Sequence, residues 1–305
     1  MNTPEAIVVA VNKSHKRGIK QTVNSIKLVP GGIEGDAHQY SGHREVSLLD
    51  EKHINDFLRI SNASEHPGYG SFAENITTKN LPEDIRIYDY LIIGNAVLMV
   101  TQLGKPFHET LEFPGHYVSP QKAVFCQVLK EGSVESGNTI IHKPRTFRTL
   151  IVTLSDRAAK GIYKDQSGPK AEEIMMELTR KEQYRTEISK QIIPDDRQVL
   201  KDIMQTARDF DFILTTGGTG ISEKDLTTET VKPYLDKEIP GITEMIRWKY
   251  GLEKPQTLLS GSLAGTIGKT LVFCMPGNPK AVEEYMQEFI KVIPHALRMV
   301  HGLNH

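Results

Sequence analysis

Phe212 to Thr230, FILTTGGTGISEKDLTTET, holds the residues whose types and spacing best suit chemistry. The apolar Phe212-Ile213-Leu214 reads as a short buried strand, and it stops in Thr215-Thr216-Gly217-Gly218-Thr219-Gly220. Glycines at a strand end let the backbone take positive φ and let a ligand approach the main chain closely. Backbone N–H groups and threonine hydroxyls can then donate to phosphate oxygens. Asp225 follows, placed to hold a metal or orient a reacting group. A glycine-rich turn between strand and helix would also produce the glycines; the aspartate and the strand context favour an anion site.

The elements that must position this loop alternate between strand and helix. Strands are predicted at Thr149–Leu154, Thr186–Ile193, Asp211–Thr215 and Thr270–Met275. Helices are predicted at Pro169–Thr179 with Ser167 as its cap, at Asp196–Ala207 with Asp195 as N-cap, at Thr228–Leu235, and from Pro279 to about Leu297 with Asn278 as its cap. Repeated β-α units imply a mostly parallel sheet covered on both faces, a three-layer α/β domain. Ligands in such sheets sit beyond the carboxyl ends of the strands. Those ends are polar here: Ser155-Asp156, Pro194-Asp195-Asp196, the Thr216–Gly220 loop and Pro276-Gly277-Asn278-Pro279, with Ser260-Gly261-Ser262 before the last strand. Asp195 and Asp225 could share Mg²⁺ with phosphates, since Mg²⁺ takes one or two carboxylates plus phosphate oxygens and water. Asp195 serving only as a cap and Asp156 serving only an Asx-turn stay open. No Walker A lysine motif and no strand-following GxGxxG is present, which disfavours a P-loop nucleotidase and a nicotinamide-binding fold.

The chain has 305 residues, enough for two domains, with an ordinary globular composition and a net charge of −1. No overall field draws in nucleic acid or an anionic membrane. Neither a signal peptide nor a run near the ~18 apolar residues of a membrane span is visible. Cys126 and Cys274 make no CxxC pair, so a reducing, cytoplasmic setting is expected. Residues 1–145 read as β-rich, a barrel or curled sheet. Strands are expected at Ala6–Val11, Ile19–Leu28 with a turn near Asn24, Glu45–Leu49, Leu91–Val100 with a Gly94-Asn95 hairpin turn, and Ala123–Leu129; one helix is expected at Asp50–Ile60. Arg44 and Lys105 could bind an anion, and His38 and His43 lack the spacing of a zinc site. A basic, proline-containing join near residue 145 separates this part from residues 146–305.

Two resemblances follow from particular motifs. Gly31-Gly32-Ile33-Glu34-Gly35-Asp36-Ala37-His38 with Gly42–Leu48, then Gly70-Ser71-Phe72-Ala73-Glu74-Asn75-Ile76, then Thr101-Gln102-Leu103-Gly104-Lys105-Pro106, resemble in that order a MOSC domain, the β-rich domain associated with molybdenum-cofactor sulfuration. Active members carry a cysteine where this chain has Phe107, and a phenyl ring can neither carry a persulfide nor bind a metal. The expectation for this half is a binding or structural role, with Cys126 as core. In the second half, Ser155-Asp156-Arg157, Asp165–Pro169, Ile193–Asp196, Thr216–Gly220 with Asp225, Pro240-Gly241, Leu259-Ser260 and Met275–Ala281 together resemble the molybdopterin adenylyltransferase family.

That resemblance implies a nucleotidyltransferase that moves AMP from Mg·ATP to molybdopterin and releases pyrophosphate. Asp195 and Asp225 would be its catalytic and Mg²⁺-holding residues. Ser155, Asp156, Thr216, Gly217, Gly218, Thr219, Gly220, Ser260, Pro276, Gly277, Asn278 and Pro279 would contact the pterin or the nucleotide. It also implies a homo-oligomer, a trimer first, and other cofactor-synthesis proteins as partners. Lys224 and Gly261 stand where the family often has arginine, and Thr228 where it often has proline. A non-catalytic binding and carrier protein for molybdopterin or the molybdenum cofactor is the alternative.

Overall fold

The computed structural model describes residues 4–60, 65–104 and 122–303. Lys105, Pro106 and Phe107 lie outside the described residues. The chain divides into two compact units, one of Met1–Arg145 with Leu303–His305 and the other spanning Thr146–Gly302.

The first unit is built from β1 (Ile7–Lys13), β2 (Gln21–Val23), β3 (Ser25–Val29), β4 (Gly32–Ile33), β5 (Val46–Asp50), α1 (Glu51–Ile60), β6 (Ile76–Lys79), β7 (Tyr90–Ile93), β8 (Ala96–Leu103), β9 (Val124–Lys130), β10 (Gly132–Glu135) and β11 (Ile140–Lys143). Eight strands form one sheet in the order β11-β7-β8-β9-β5-β6-β1-β2, and β10-β3-β4 form a second. The two share a core: Val8, Leu48, Ile76, Leu98 and Cys126 of the large sheet pack with Ile26, Leu28, Ile33 and Val134 of the small one. The hairpin expected at Gly94-Asn95 is present, with Ile93 opposite Ala96. Gly94 has φ of 57°, the left-handed value that a two-residue hairpin loop wants at its first position. Asn24 marks the break between β2 and β3, and Asp50 caps α1 by accepting from the Lys52 N–H. The sequence reading missed β4, β6, β10 and β11, which are short and carry too few residues to show alternation.

Buried polar groups tie the first-unit motif segments to one another. Lys20 and Asp36 form an ion pair with both side chains fully buried, Nζ–Oδ2 2.8 Å. Asp36 also accepts from the Ser14 and His38 N–H groups and from Asn75 Nδ2. Burial acts to raise its pKa, but the bonds from His38 and Lys20 outweigh it and hold the carboxyl well below the usual carboxylate range. The resulting stability is present above the unfolded value near 4 and is lost as pH falls toward the depressed one.

The second unit comprises β12 (Thr146–Leu154), α2 (Asp156–Ala159), α3 (Ser167–Lys181), β13 (Arg185–Ile193), α4 (Arg197–Gln205), β14 (Phe212–Thr216), α5 (Thr227–Val231), β15 (Lys237–Glu238), α6 (Pro240–Gly251), β16 (Leu263–Ile267), β17 (Thr270–Met275) and α7 (Pro279–Val300). The sheet order is β13-β12-β14-β17-β16-β15. The first four strands are parallel, and β16 runs antiparallel to both neighbours, so the sheet is mixed rather than nearly all parallel. Gly268, at φ 60°, turns β16 into β17. The sequence hid β16 because Gly265 interrupts it; a Cβ there would stand 2.6 Å from the Lys237 carbonyl of β15, so the close strand approach requires glycine.

Strand alternation sorts the core onto two faces. Leu150, Val152, Leu154, Val272 and Cys274 pack with Val199 and Ile203 of α4 and Val231 of α5. On the opposite face of β17, the Phe273 ring stands 4.3 Å from Phe289 of α7. Two caps differ from expectation. Helix α3 begins at Ser167, whose own N–H is bonded by Asp165, together with that of Gly168. Helix α4 is capped by Asp196, which accepts from the Gln198 and Val199 N–H groups; Asp195 plays no part in that cap. Among the described residues no helix is long and apolar enough to cross a membrane.

Candidate functional site

The loop after β14 is built on close backbone contacts. Gly217 has φ 98°, and a Cβ there would lie 2.3 Å from the Leu154 carbonyl oxygen of β12. Its N–H donates to the Met275 carbonyl at the end of β17. Gly218 has φ 63°, and a Cβ on it would meet Thr227 Oγ1 at 2.5 Å. That hydroxyl donates to the Gly217 carbonyl at 2.8 Å, so the start of α5 locks the loop from below. A Cβ on Gly277 would lie 3.1 Å from Gly217 Cα, so the turns after β14 and β17 meet glycine to glycine. Asn278 caps α7, its Oδ1 accepting from the Lys280 and Ala281 N–H groups, with Pro279 in the first turn.

These turns enclose a cavity of about 460 Å³. Of the residues singled out in the sequence, Gly218, Thr219, Gly220, Asp225, Ser260, Pro276, Gly277 and Asn278 line it. Lys254, Lys280, Glu284 and Tyr285 complete much of the wall, and Lys254 forms an ion pair with Glu284. Asp225 Oδ2 accepts from Ser222 N at 2.9 Å and Ser222 Oγ at 2.6 Å. A Cβ on Gly220 would lie 2.7 Å from that oxygen, so only glycine lets the carboxylate close over the loop. Partial burial raises the Asp225 pKa, but the Ser222 hydroxyl and the Ser222 and Gly220 N–H groups more than reverse this, and the carboxyl stays below its ordinary value.

Other expected residues stand elsewhere. Asp156 and Asp195 bond reciprocally across β12 and β13: the Asp156 N–H donates to Asp195 Oδ2 at 3.0 Å and the Asp195 N–H to Asp156 Oδ1 at 3.2 Å. Neither lines the cavity that Asp225 lines. Ser155 caps α2 by accepting from the Ala158 N–H, and its Oγ is 3.2 Å from Tyr163 Oη. Thr216 is fully buried, its hydroxyl bonded to Thr153 and Ser167 beside Asp165. Gly217 and Pro279 shape the turns without lining the cavity. Among the described residues no group of three or more His, Cys, Asp or Glu side chains could hold a metal. An Mg²⁺ held by one carboxylate and completed by phosphate oxygens and water needs no such group, and ionised Asp225 at the wall fits that arrangement.

Sequence reasoning missed Tyr285, Glu284 and Arg247. Tyr285 and Glu284 lie on the helical face of α7 and read as amphipathic pattern. Arg247 of α6 reaches back to donate to the Ser260 and Ser262 carbonyls, both at 3.3 Å. In the first unit, His43 Nε2 and Arg44 Nε converge on Gln102 Oε1 at 3.2 and 2.8 Å, whereas His38 Nδ1 stands 3.3 Å from Lys20 Nζ; the two histidines serve different partners. Cys126 and Cys274 are buried; burial pushes both thiols up, that of Cys274 to about 12 against a small opposing bond to Thr215. Iodoacetamide is expected to leave both unmodified in the folded chain and to add two groups after denaturation, read by intact mass. Rapid labelling of Cys126 in the folded chain would remove it from the core.

A family model described as a probable molybdopterin binding domain matches residues 150–295. Molybdenum cofactor biosynthesis protein B of Staphylococcus carnosus is 36% identical over 166 residues, covering 52% of this chain and 92% of that protein. The chain belongs to this family. A molybdopterin adenylyltransferase of Helicobacter pylori is 30% identical over 161 residues, covering 52% of this chain and 90% of that one. A solved molybdopterin biosynthesis enzyme of Thermus thermophilus is 34% identical, covering 51% of this chain and 97% of that one, with a TM-score of 0.45. Membership sets this chain among molybdenum cofactor biosynthesis proteins, and the matched segment lies wholly within the second unit.

Proposed function

We propose that the second unit transfers AMP from Mg·ATP to the terminal phosphate of molybdopterin. A phosphate oxygen of the pterin attacks the α-phosphorus of ATP, the bond from that phosphorus to the bridging oxygen breaks, and pyrophosphate leaves with the electron pair. The observation that carries this reading is the one cavity lined by Gly218, Thr219 and Gly220, by Pro276–Asn278 before α7, by Lys254 and Lys280 and by an ionised aspartate. A phosphate monoester is already anionic and needs no strong base, so positioning and charge neutralisation suffice. In this proposal the Gly218 and Thr219 backbone receives phosphate oxygens, and Lys280 neutralises them. Asp225 would hold Mg²⁺, which when bound would offset the charge gathering on the phosphates. Asp195 and Asp156, released from helix capping and fixed on each other, form a second acidic pair beside Ser155 for the remaining ligand contacts.

The first unit we assign to cofactor binding of the MOSC kind, without a sulfur-carrying thiol. The full protein we place in the cytoplasm as a homo-oligomer, a trimer first.

One observation favours a second reading, a molybdopterin carrier without chemistry. Lys254 is committed to Glu284, and Gly261 offers no side chain where the family often has arginine, which leaves few free cations for a triphosphate. Calorimetry with molybdopterin and with Mg·ATP, run beside a pyrophosphate-release assay, separates the two. Tight pterin binding without Mg·ATP-dependent pyrophosphate would sink the transferase.

A further inference from the structure

Three hydroxyl groups stand in line at the edge of the cavity. Ser260 lines it, half-buried, with its Oγ 2.6 Å from Ser262 Oγ; Ser262 Oγ in turn donates to Tyr285 Oη at 2.6 Å. Ser262 is 5% exposed and Tyr285 1%, so water does not compete for these bonds. The backbone carrying the serines is pinned: Arg247 holds both of their carbonyls, and the Gly261 N–H between them donates to Thr219 O at 2.7 Å. Tyr285 is packed edge-on against Phe289, ring centres 5.9 Å apart.

A serine hydroxyl has one proton to give. Ser262 gives its proton to Tyr285, so the short contact with Ser260 takes the proton of Ser260. The Ser260 hydroxyl then offers only lone pairs to a ligand. We propose that Tyr285, acting through Ser262, holds Ser260 as a hydrogen-bond acceptor, so that this corner of the cavity selects the exocyclic amine of a nitrogen heteroaromatic ring over a ring carbonyl or a phosphate oxygen. This rests on reading the cavity as a pterin and nucleotide site, and it adds which chemical group meets Ser260 and which residue decides it. Phosphate oxygens, being acceptors, are directed instead to donors such as the Lys280 ammonium and the Gly218 and Thr219 backbone, which line the same cavity. Tyr285 is a positioning residue here, since it acts on the ligand through two serines.

Pterin and adenine both carry such an amine, and two analogue pairs tell them apart: pterin against lumazine, which has a carbonyl in place of the 2-amino group, and ATP against ITP, which has one in place of the 6-amino group. Affinities are measured on the full chain by calorimetry. In the wild type the amine member of at least one pair binds about tenfold tighter, the worth of one well-placed hydrogen bond, and the pair that shows the ratio names the ring. Tyr285→Phe keeps the ring packing and removes the terminal hydroxyl, and Ser262→Ala removes the middle one; each brings the ratio to within about twofold, because Ser260 regains the freedom to donate. Should Tyr285→Phe not fold by circular dichroism, Ser262→Ala decides. Equal binding within both pairs, no binding of any of the four, or a ratio unchanged in the folded variants overturns the proposal. The ratio needs no turnover: an intact ratio without pyrophosphate release would overturn the transfer reaction alone, and turnover with equal binding would overturn this proposal alone.

Discussion

Asp225→Asn is expected to lower turnover about 100- to 1,000-fold while leaving the fold intact, the size of effect that removal of one preorganised electrostatic group gives. The fold should survive because the groups that hold Asp225 are donors. Ser222 N and Oγ would meet an amide oxygen as they met the carboxylate oxygen, and the contact against Gly220 keeps its shape. What disappears is the negative charge at the cavity wall. The same donors hold the wild-type carboxyl below its ordinary value, so it is ionised throughout the neutral range. Its contribution to stability is present above the unfolded carboxylate value near 4 and is lost as pH falls through the lowered folded one. Turnover should therefore show no acid limb from Asp225 above about pH 4, and the variant's deficit should be nearly constant from pH 6 to pH 8. Steady-state rates and melting temperatures of the two proteins check this; equal rates would remove Asp225 from the chemistry.

The largest expected loss of stability comes from Gly217→Ala. A methyl group there would stand 2.3 Å from the Leu154 carbonyl oxygen, on backbone held at φ 98°. Nothing nearby can yield: Leu154 is the last residue of β12, which is paired on both sides, and Gly277 presses on the same glycine from the β17 side. Backbone strain and a clash with main chain together should cost about 3 kcal/mol or more. Gly241→Ala is the control. Gly241 lies in the first turn of α6, has ordinary φ and meets nothing within 4 Å, so alanine there should be neutral or slightly stabilising. Urea unfolding of the full chain followed by circular dichroism distinguishes the two. If Gly217→Ala unfolded at the wild-type midpoint, the loop would not depend on the close approach described above.

How far these elements could be read from the chain depended on whether their signal was local. The Gly94-Asn95 hairpin, the Asn278 cap and the strand-to-glycine ending at Thr216 are each written within a few adjacent residues, and they stand as expected. Asp195 and Asp196 are both able caps, and sequence alone cannot choose; the structure gives the cap to Asp196 and turns Asp195 onto Asp156. Asp165 belongs to a motif-like segment, but its bond from Thr153 joins it to a strand that only folding brings beside it. Tyr285 lies 25 positions after Ser260 and looks like any aromatic on a buried helix face; its hydroxyl contact with Ser262 has no local mark. In the first unit the pairings run between strands far apart in sequence, such as β5 with β9, so register there was set by contacts that no window of residues contains.

The central claim is that this chain moves AMP onto molybdopterin. ATP labelled on its α-phosphate, incubated with Mg²⁺, molybdopterin and the full chain, tests it most directly. The account predicts that label appears on the pterin in step with pyrophosphate release, and that omitting either molybdopterin or Mg²⁺ abolishes both. Label remaining wholly in ATP, with molybdopterin bound and the protein folded, would contradict it.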